Sequence, residues 1–80
     1  MTREEALKII KKEKLKNFNL YGDHAHRANE VVIRKVFTGW SVYTVDERES
    51  VISEVLYDSE SDALEDFIER LRADKILSEL

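Results

Sequence analysis

Residues 40–72, WSVYTVDERESVISEVLYDSESDALEDFIERLR, constrain the fold more than any other part of the chain. Two runs rich in β-branched and aromatic residues, Trp40–Val45 and Val51–Tyr57, flank a short charged connection, as in a β-hairpin. Ser59 follows at once as a helix N-cap. The apolar residues after it recur at the spacing of one helical face, and they are Leu64, Phe67, Ile68 and Leu71. The segment therefore predicts two paired strands followed by an amphipathic helix.

The N-terminal segment predicts a second helix. Thr2 and Glu5 form the S/T-x-x-E capping box, in which each side chain accepts from the backbone of the other residue. Apolar residues then gather on one face and lysines on the other, so the helix is expected to end at about Lys14 or Lys16. Residues 18–21 could add a short strand after it, and the sequence leaves that point open.

Residues 30–37 are rich in β-branched side chains and predict the first strand of the central sheet. Thr38-Gly39 reads as a tight turn into the strand that begins at Trp40. The predicted order is therefore α-(β)-β-β-β-α. We expect an α+β fold in which residues 1–80 form a single domain. An antiparallel sheet of three to four strands would carry the N- and C-terminal helices packed on one face.

Strand alternation predicts which side chains face the helices. A two-residue Thr38-Gly39 turn would place Phe37 opposite Trp40, and a four-residue loop at 46–49 would place Trp40 opposite Val55. The helix-facing core would then contain Val31, Ile33, Phe37, Trp40, Val42, Val51, Val55 and Tyr57. The other face would be open and carry Val32, Arg34, Val36, Tyr43, Val45, Ile52, Glu54 and Leu56. Aliphatic residues mixed with an arginine and an aromatic residue are typical of an interface core.

The apolar stripe of the last helix changes phase after Arg72. At about 100° per residue, the next apolar side chains fall on the opposite side of the helix, and they are Ala73, Ile76, Leu77 and Leu80. Either the helix bends near residues 72–75, or it continues to Leu80 with a second apolar face. Such a face would be exposed in a monomer and is a candidate for self-association.

Composition excludes several classes of site. The chain has 80 residues and no cysteine, which rules out disulfides, thiolate nucleophiles and cysteine–zinc sites. A secreted domain of this size would usually need disulfides, so a reducing compartment is expected. The segment MTREEALKII lacks the apolar core of a signal peptide, and no uncharged run is long enough to span a bilayer. A cytoplasmic location without membrane contact is the expectation.

Charge is distributed unevenly along the chain. Residues 1–40 hold nine Lys/Arg against five Asp/Glu, and residues 41–80 hold four against twelve, so the halves carry +4 and −8. An acidic half can meet a basic partner, although attraction between the halves and solubility explain the same pattern. The lysine stripe of the first helix lacks interleaved aromatic residues, so nucleic-acid binding is not expected.

The sequence contains little that supports catalysis or metal binding. His24 and His26 form an H-x-H, but a catalytic zinc site usually needs a third protein ligand, so two solvated histidines are the simpler interpretation. Many of the carboxylates lie in a turn and on one face of a helix. We expect neither place to shift a carboxyl pKa enough for acid–base catalysis. Glycine occurs only twice, so no phosphate-binding loop is present. We expect no enzyme, no metal and no cofactor.

The C-terminal half resembles the small α+β immunity proteins of bacterial polymorphic-toxin systems. The residues that carry the resemblance are Trp40, Val42, Tyr43, Asp46, Glu47, Arg48, Ser59, Glu60, Ala63, Leu64, Phe67, Ile68, Arg70 and Leu71. The resemblance implies a protein that binds a cognate toxin, often a nuclease, and blocks it without catalysis. An acidic surface fits that role because a toxin that binds nucleic acid presents a basic site.

We therefore expect a partner-binding surface around the charged turn. Its candidate residues are Tyr43, Asp46, Glu47, Glu49, Glu54, Asp58 and Glu60. Carboxylates would steer the toxin, and the tyrosine would act as an anchor. Two alternatives stay open: a homodimeric adaptor that uses the C-terminal apolar stripe, and an acidic nucleic-acid mimic that inhibits a DNA-binding protein.

Overall fold

The computed structural model describes residues 1–25 and 27–79. Its elements, in chain order, are α1 (Arg3–Glu13), β1 (Phe18–Leu20), β2 (Glu30–Val36), β3 (Gly39–Val45), β4 (Val51–Tyr57) and α2 (Glu60–Ser78). The strands form one sheet in the order β1-β2-β3-β4. The α+β prediction is confirmed, and β1 answers the open question about residues 18–21.

Both helices begin as their caps predict. The Thr2 hydroxyl accepts from the Glu5 backbone N–H at 3.1 Å, and the Glu5 carboxylate accepts from Thr2 N–H at 3.0 Å, which completes the capping box. Ser59 Oγ accepts from Asp62 N–H at 3.3 Å at the start of α2. α2 is an unbroken helix to Ser78, so the phase change after Arg72 produces a second apolar face rather than a break.

The sheet is mixed, which corrects the expectation of an antiparallel sheet. β1 pairs in parallel with β2, with Phe18 opposite Val31 and Leu20 opposite Ile33. The other two pairings are antiparallel. A β1–β2 hairpin would have made the pair antiparallel, but the chain between Leu20 and Glu30 instead crosses back so that both strands run in the same direction.

The main core lies between the sheet and the helices. α2 contributes Ala63, Leu64, Phe67, Ile68 and Leu71, each fully buried, so the predicted stripe is confirmed. They pack against Val31, Ile33 and Val42 of the sheet and against Ala6 and Ile10 of α1. Both helices therefore cover one face. Trp40 is half-buried at the margin of this core, with the Lys35 ammonium 4.5 Å from its ring centre.

The turn between β2 and β3 differs from its prediction. Val36 pairs with Gly39, so the turn residues are Phe37 and Thr38 rather than Thr38 and Gly39. Phe37 is therefore fully exposed instead of belonging to the core. Gly39 has φ 149°, and a Cβ there would stand 2.3 Å from the Tyr57 carbonyl oxygen. Only glycine fits this close approach of β4. Gly39 therefore lies in β3 rather than in the turn, and the turn falls one residue earlier than predicted.

The second face of the sheet is not open over β2 and β3. Val32, Tyr43 and Val45 form a small buried cluster there, with exposed fractions of 0%, 5% and 0%. The β1–β2 connection folds onto this face, because the His24 carbonyl oxygen accepts from Asn19 Nδ2 at 3.0 Å. The expectation of an open second face is wrong at Val32, Tyr43 and Val45, whereas Arg34 on the same face is exposed. Among the described strands, only β4 retains exposed apolar side chains on both sides.

Candidate partner-binding surface

β4 is a free edge of the sheet. Within the described chain it pairs with β3 alone, so the backbone groups along its outer side have no strand partner. Six of its seven residues are exposed. Val51, Ile52, Val55 and Leu56 are 49%, 44%, 40% and 63% exposed. A long edge strand with exposed apolar side chains is a template for pairing with another chain.

A β-bulge at Ser53 divides this edge. Val55 pairs with Val42, but the next pair on the other side of the bulge is Ile52 with Thr44, and Ser53 has φ 55°. The bulge reverses the predicted faces of Val51 and Ile52. Trp40 also stands opposite Tyr57 rather than Val55. A bulge inserts one residue into one strand, and strand alternation alone cannot locate it.

Arg70 of α2 holds the bulge in place. Its guanidinium donates to the Ser53 carbonyl oxygen at 2.7 Å, to Thr44 Oγ1 at 3.2 Å and to Asp66 Oδ1 at 2.9 Å. Asp66 also accepts from the Tyr57 hydroxyl at 2.6 Å, and this hydrogen bond, together with burial, raises the pKa of Tyr57 to about 12. α2 therefore fixes β4 at its bulge and at its C-terminal end, and leaves its outer edge uncovered.

The charged turn between β3 and β4 contains one carboxylate with a structural role and two that are exposed. Asp46 Oδ1 accepts from the backbone N–H groups of Arg48 and Ser50 at 2.9 and 2.8 Å, so Asp46 stabilises the turn itself. Glu47 and Glu49 are exposed beside it, and Glu49 has φ 62°. Of the three acidic residues in this turn, these two are placed to meet a partner.

The other candidate residues also differ in how far they are exposed. Tyr43 is buried and cannot serve as a surface anchor in this conformation, which corrects the expectation that it lies on an open face. Glu54 is exposed and accepts from Ser41 Oγ at 2.6 Å, and Asp58 is exposed at the end of β4.

Glu60 lies apart from the β4 edge in an internal polar cluster. Its carboxylate accepts from the Tyr21 hydroxyl and from Arg3 Nε, each at 2.7 Å. These hydrogen bonds, that of Tyr21 first, lower the pKa of Glu60. Burial and the same contact raise the pKa of Tyr21 to about 12. The cluster joins α1, the end of β1 and the start of α2, so Glu60 has a structural role.

The C-terminal apolar stripe continues the β4 surface. Ile76 and Leu77 are 63% and 69% exposed, and Ala73 is also exposed, whereas Leu80 lies outside the described residues. Ala73 and Leu77 line a groove of about 660 Å³, whose other walls include Ile52 of β4 and Glu47 of the turn. The stripe and β4 therefore form one surface with an acidic rim.

A buried polar cluster lies at the opposite edge of the sheet. Glu30 is 3% exposed and accepts from Asn19 Nδ2 at 3.1 Å and from Arg27 N–H at 3.3 Å. His24 lies between two carboxylates, with Nε2 2.7 Å from Glu30 and Nδ1 2.5 Å from Asp23. Burial would raise the pKa of Glu30, but the hydrogen bonds from His24, Asn19 and Arg27 outweigh it and lower that pKa.

His24, the first histidine of the H-x-H pattern, has a structural role in this cluster. His26 lies outside the described residues, and those residues contain no group of three His, Asp or Glu arranged to hold a metal ion. His24 is half-buried rather than solvated, because its carbonyl and its ring both fasten the β1–β2 connection to the sheet. The expectation of a solvated loop histidine is therefore wrong for His24.

Sequence reasoning missed the residues that make β4 distinctive. Strand alternation places Leu56, Val55 and Ile52 on faces of a sheet without revealing an exposed edge, and no local pattern indicates a role for Arg70. One signal was available: the run VISEVL places apolar residues in adjacent pairs, so neither face of this strand can be wholly polar.

In the part of the chain that the structure describes, neither helix is long and apolar enough to cross a membrane. Comparisons of the chain with protein-family models, with curated proteins and with solved structures found no match.

Proposed function

We propose that the protein is an immunity protein of a bacterial polymorphic-toxin system, which binds a cognate toxin in the cytoplasm and neutralises it without catalysis. The exposed β4 strand carries this proposal. An edge with apolar side chains on both faces is costly to leave open in a small protein, since it invites aggregation. A bound partner would cover it, and this is the simplest reason to retain such an edge.

Charge favours a basic partner. From Asp46 to Asp58 the chain holds five carboxylates and one arginine, a net charge of −4 around β4. Complementary charge accelerates association and suppresses wrong partners. A nuclease toxin presents a cationic substrate site, so an acidic protein docked there would both bind and block it. The resemblance of residues 40–71 to immunity proteins supports the same conclusion.

The apolar residues between the carboxylates distinguish this proposal from nucleic-acid mimicry. A mimic needs carboxylates at the positions of phosphates, whereas Val55 and Leu56 interrupt the acidic surface with exposed aliphatic side chains. Aliphatic side chains inside a charged rim are typical of protein interfaces. Binding to a protein toxin should therefore depend on Leu56 as well as on salt concentration.

The test uses the toxin domain encoded by the neighbouring gene, expressed in bacteria with and without this chain. We expect the chain to restore growth and to form a stoichiometric complex. Leu56→Glu should weaken the complex by about thirtyfold, the size of an interface hot spot. Leu7→Glu, on an exposed position of α1, is the matched control and should leave binding unchanged. If neither growth nor complex formation responds to the wild-type chain, the proposal is wrong.

Self-association is a second candidate, favoured by the exposed Ile76 and Leu77 beside the groove. Sedimentation of the wild-type chain and of the double variant Ile76→Lys, Leu77→Lys tests it. The variant retains Lys75, whose ammonium donates to the Glu13 carbonyl oxygen at 2.6 Å, so the contact between helices persists. A dimer lost in this variant supports the homodimeric function, and a wild-type monomer at high concentration contradicts it.

A further inference from the structure

We propose that the partner binds by adding a strand to the outer edge of β4 at Glu54–Tyr57, and that one face of this strand carries an apolar side chain flanked by two cationic ones. The inference rests on the proposed function, because it names how the toxin would be held. It specifies the backbone segment and the chemistry of the occupant.

The backbone supplies the first argument. β4 is paired on one side only, so the groups on its outer side are available to an extended chain. Strand addition derives affinity from main-chain hydrogen bonds and specificity from alternate side chains. β1 does not offer the same opportunity: it has three residues, all buried or half-buried.

The bulge limits the docking segment. Ser53 interrupts regular pairing, and its carbonyl oxygen already accepts from Arg70 at 2.7 Å. α2 begins at Glu60, so the strand cannot extend far beyond Tyr57. The unoccupied edge beyond Ser53 is therefore Glu54–Tyr57, of which Val55–Tyr57 pair regularly with β3. Arg70 and the Tyr57–Asp66 hydrogen bond hold this edge rigid from the helix side. A rigid edge lowers the entropy cost of binding.

The side chains define the chemistry of the added strand. Glu54 and Leu56 share one face of β4, while Val55 points to the helix side, as their β3 partners Ser41 and Val42 indicate. A residue of the partner that packs against Leu56 needs to be apolar, and its neighbours two residues away can pair with Glu54 and Asp58 if they are Lys or Arg. A strand with the pattern Lys-x-Val-x-Lys, in which the cationic and apolar side chains share one face, satisfies both requirements.

Charge argues against a second copy of this chain as the occupant. Two β4 strands joined edge to edge would bring together two segments, residues 46–58 of each copy, that each carry a net charge of −4. Like charges at an interface oppose association, whereas a cationic strand neutralises the rim. The occupant is therefore a basic protein segment.

Titration of the full ¹⁵N-labelled protein with the synthetic peptide acetyl-TKTVTKT-amide, whose two lysines and valine share one face of an extended strand, tests this inference by NMR. We expect amide shifts centred on Glu54–Tyr57 and contacts between the two backbones. The acidic peptide acetyl-TETVTET-amide should not bind. Methylation of the peptide's backbone amides, which removes the donors and keeps the side chains, should weaken binding by about tenfold or more.

Three results would overturn the inference: shifts centred away from β4, equal binding of the methylated or acidic peptide, or concentration-dependent pairing of β4 without any peptide. The toxin experiment stays separate. If the toxin binds but β4 amides in that complex are unaffected, strand addition is wrong and the immunity function stands. If the peptide docks on β4 but the toxin neither binds nor is neutralised, the immunity function is wrong and the docking edge stands.

Discussion

The two edges of the sheet are constructed in opposite ways. At one edge, β1 is three residues long, Asn19 at its centre is fully buried, and the following connection is fastened over the adjoining face by His24 and Glu30. At the other edge, β4 is seven residues long, and Val51–Leu56 are exposed. α2 holds β4 from one side through Arg70, but no described segment lies along its outer backbone.

The difference indicates which edge of the sheet contributes more to the stability of the fold. Native sheets protect edges by shortening them, covering them or breaking them with bulges and charge. The β1 edge is short and covered. The β4 edge, in contrast, is only partly protected by the Ser53 bulge and by Glu54. We conclude that the β1 side stabilises the monomer, whereas the β4 side is available for binding. Matched substitutions at the two edges test this division.

The largest contrast is expected between two glutamates. Glu30→Ala removes the acceptor for His24, Asn19 and Arg27 in a buried site, and should lower the free energy of unfolding by about 3 kcal/mol. Glu54→Ala, at the exposed edge, should cost less than about 1 kcal/mol. Urea denaturation of both variants measures the difference, and equal losses would remove the distinction between the edges.

A smaller contrast is expected between two aliphatic residues. Val32 is fully buried with Tyr43 and Val45, and Leu56 is 63% exposed, although neither faces the helices. Val32→Ala should cost about 2 kcal/mol because it leaves a cavity, while Leu56→Ala should stay within about 0.5 kcal/mol. Thermal unfolding of the pair checks this. A destabilising Leu56→Ala would show that β4 is packed in the monomer.

Two arginines of α2 provide the next comparison. Arg70→Ala removes the hydrogen bonds that hold the Ser53 bulge and should cost about 1.5 kcal/mol, with faster amide exchange in β4. Arg72→Ala removes an exposed, solvent-screened pair with Glu13 and should cost much less than Arg70→Ala. If exchange in β4 is unchanged in Arg70→Ala, the helix does not fix this edge.

The smallest effect concerns pH. The folded-state pKa of Glu30 lies below its ordinary value of 4.5, so its carboxylate stabilises the fold above that pH. This contribution is lost as the pH falls through the lower folded value. Denaturation from pH 6 to about 3 should show a shallower loss of stability in Glu30→Gln than in the wild type. Parallel curves would mean that Glu30 is not held as a buried carboxylate.

The sequence was sufficient for elements whose signals are local. The Thr2–Glu5 capping box and the α2 stripe each lie within a few turns, so both helices were predicted correctly. The three longer strands followed from their β-branched residues for the same reason. Local patterns fix these elements because neighbouring side chains decide their backbone conformation.

Features that depend on tertiary contacts were not predictable. The Phe37–Thr38 turn follows from the approach of Tyr57 to Gly39, and the Ser53 bulge from a helix residue distant in sequence. The burial of Tyr43 depends on its packing with Val32 of the neighbouring strand and with Val45, a tertiary cluster that strand alternation does not distinguish from an open face. The exposed carboxylates of the candidate surface were foreseen, but the free edge that unites them was not.

Amide hydrogen exchange, measured on the protein alone and on its complex with the toxin domain of the neighbouring gene, tests the central claim most directly. We expect the outer amides of Glu54–Tyr57 to exchange freely in isolation and to become protected in the complex, while β1 amides change little. Protection of those β4 amides in the isolated monomer, or a complex that leaves them unprotected, would contradict the assignment of β4 as the docking edge.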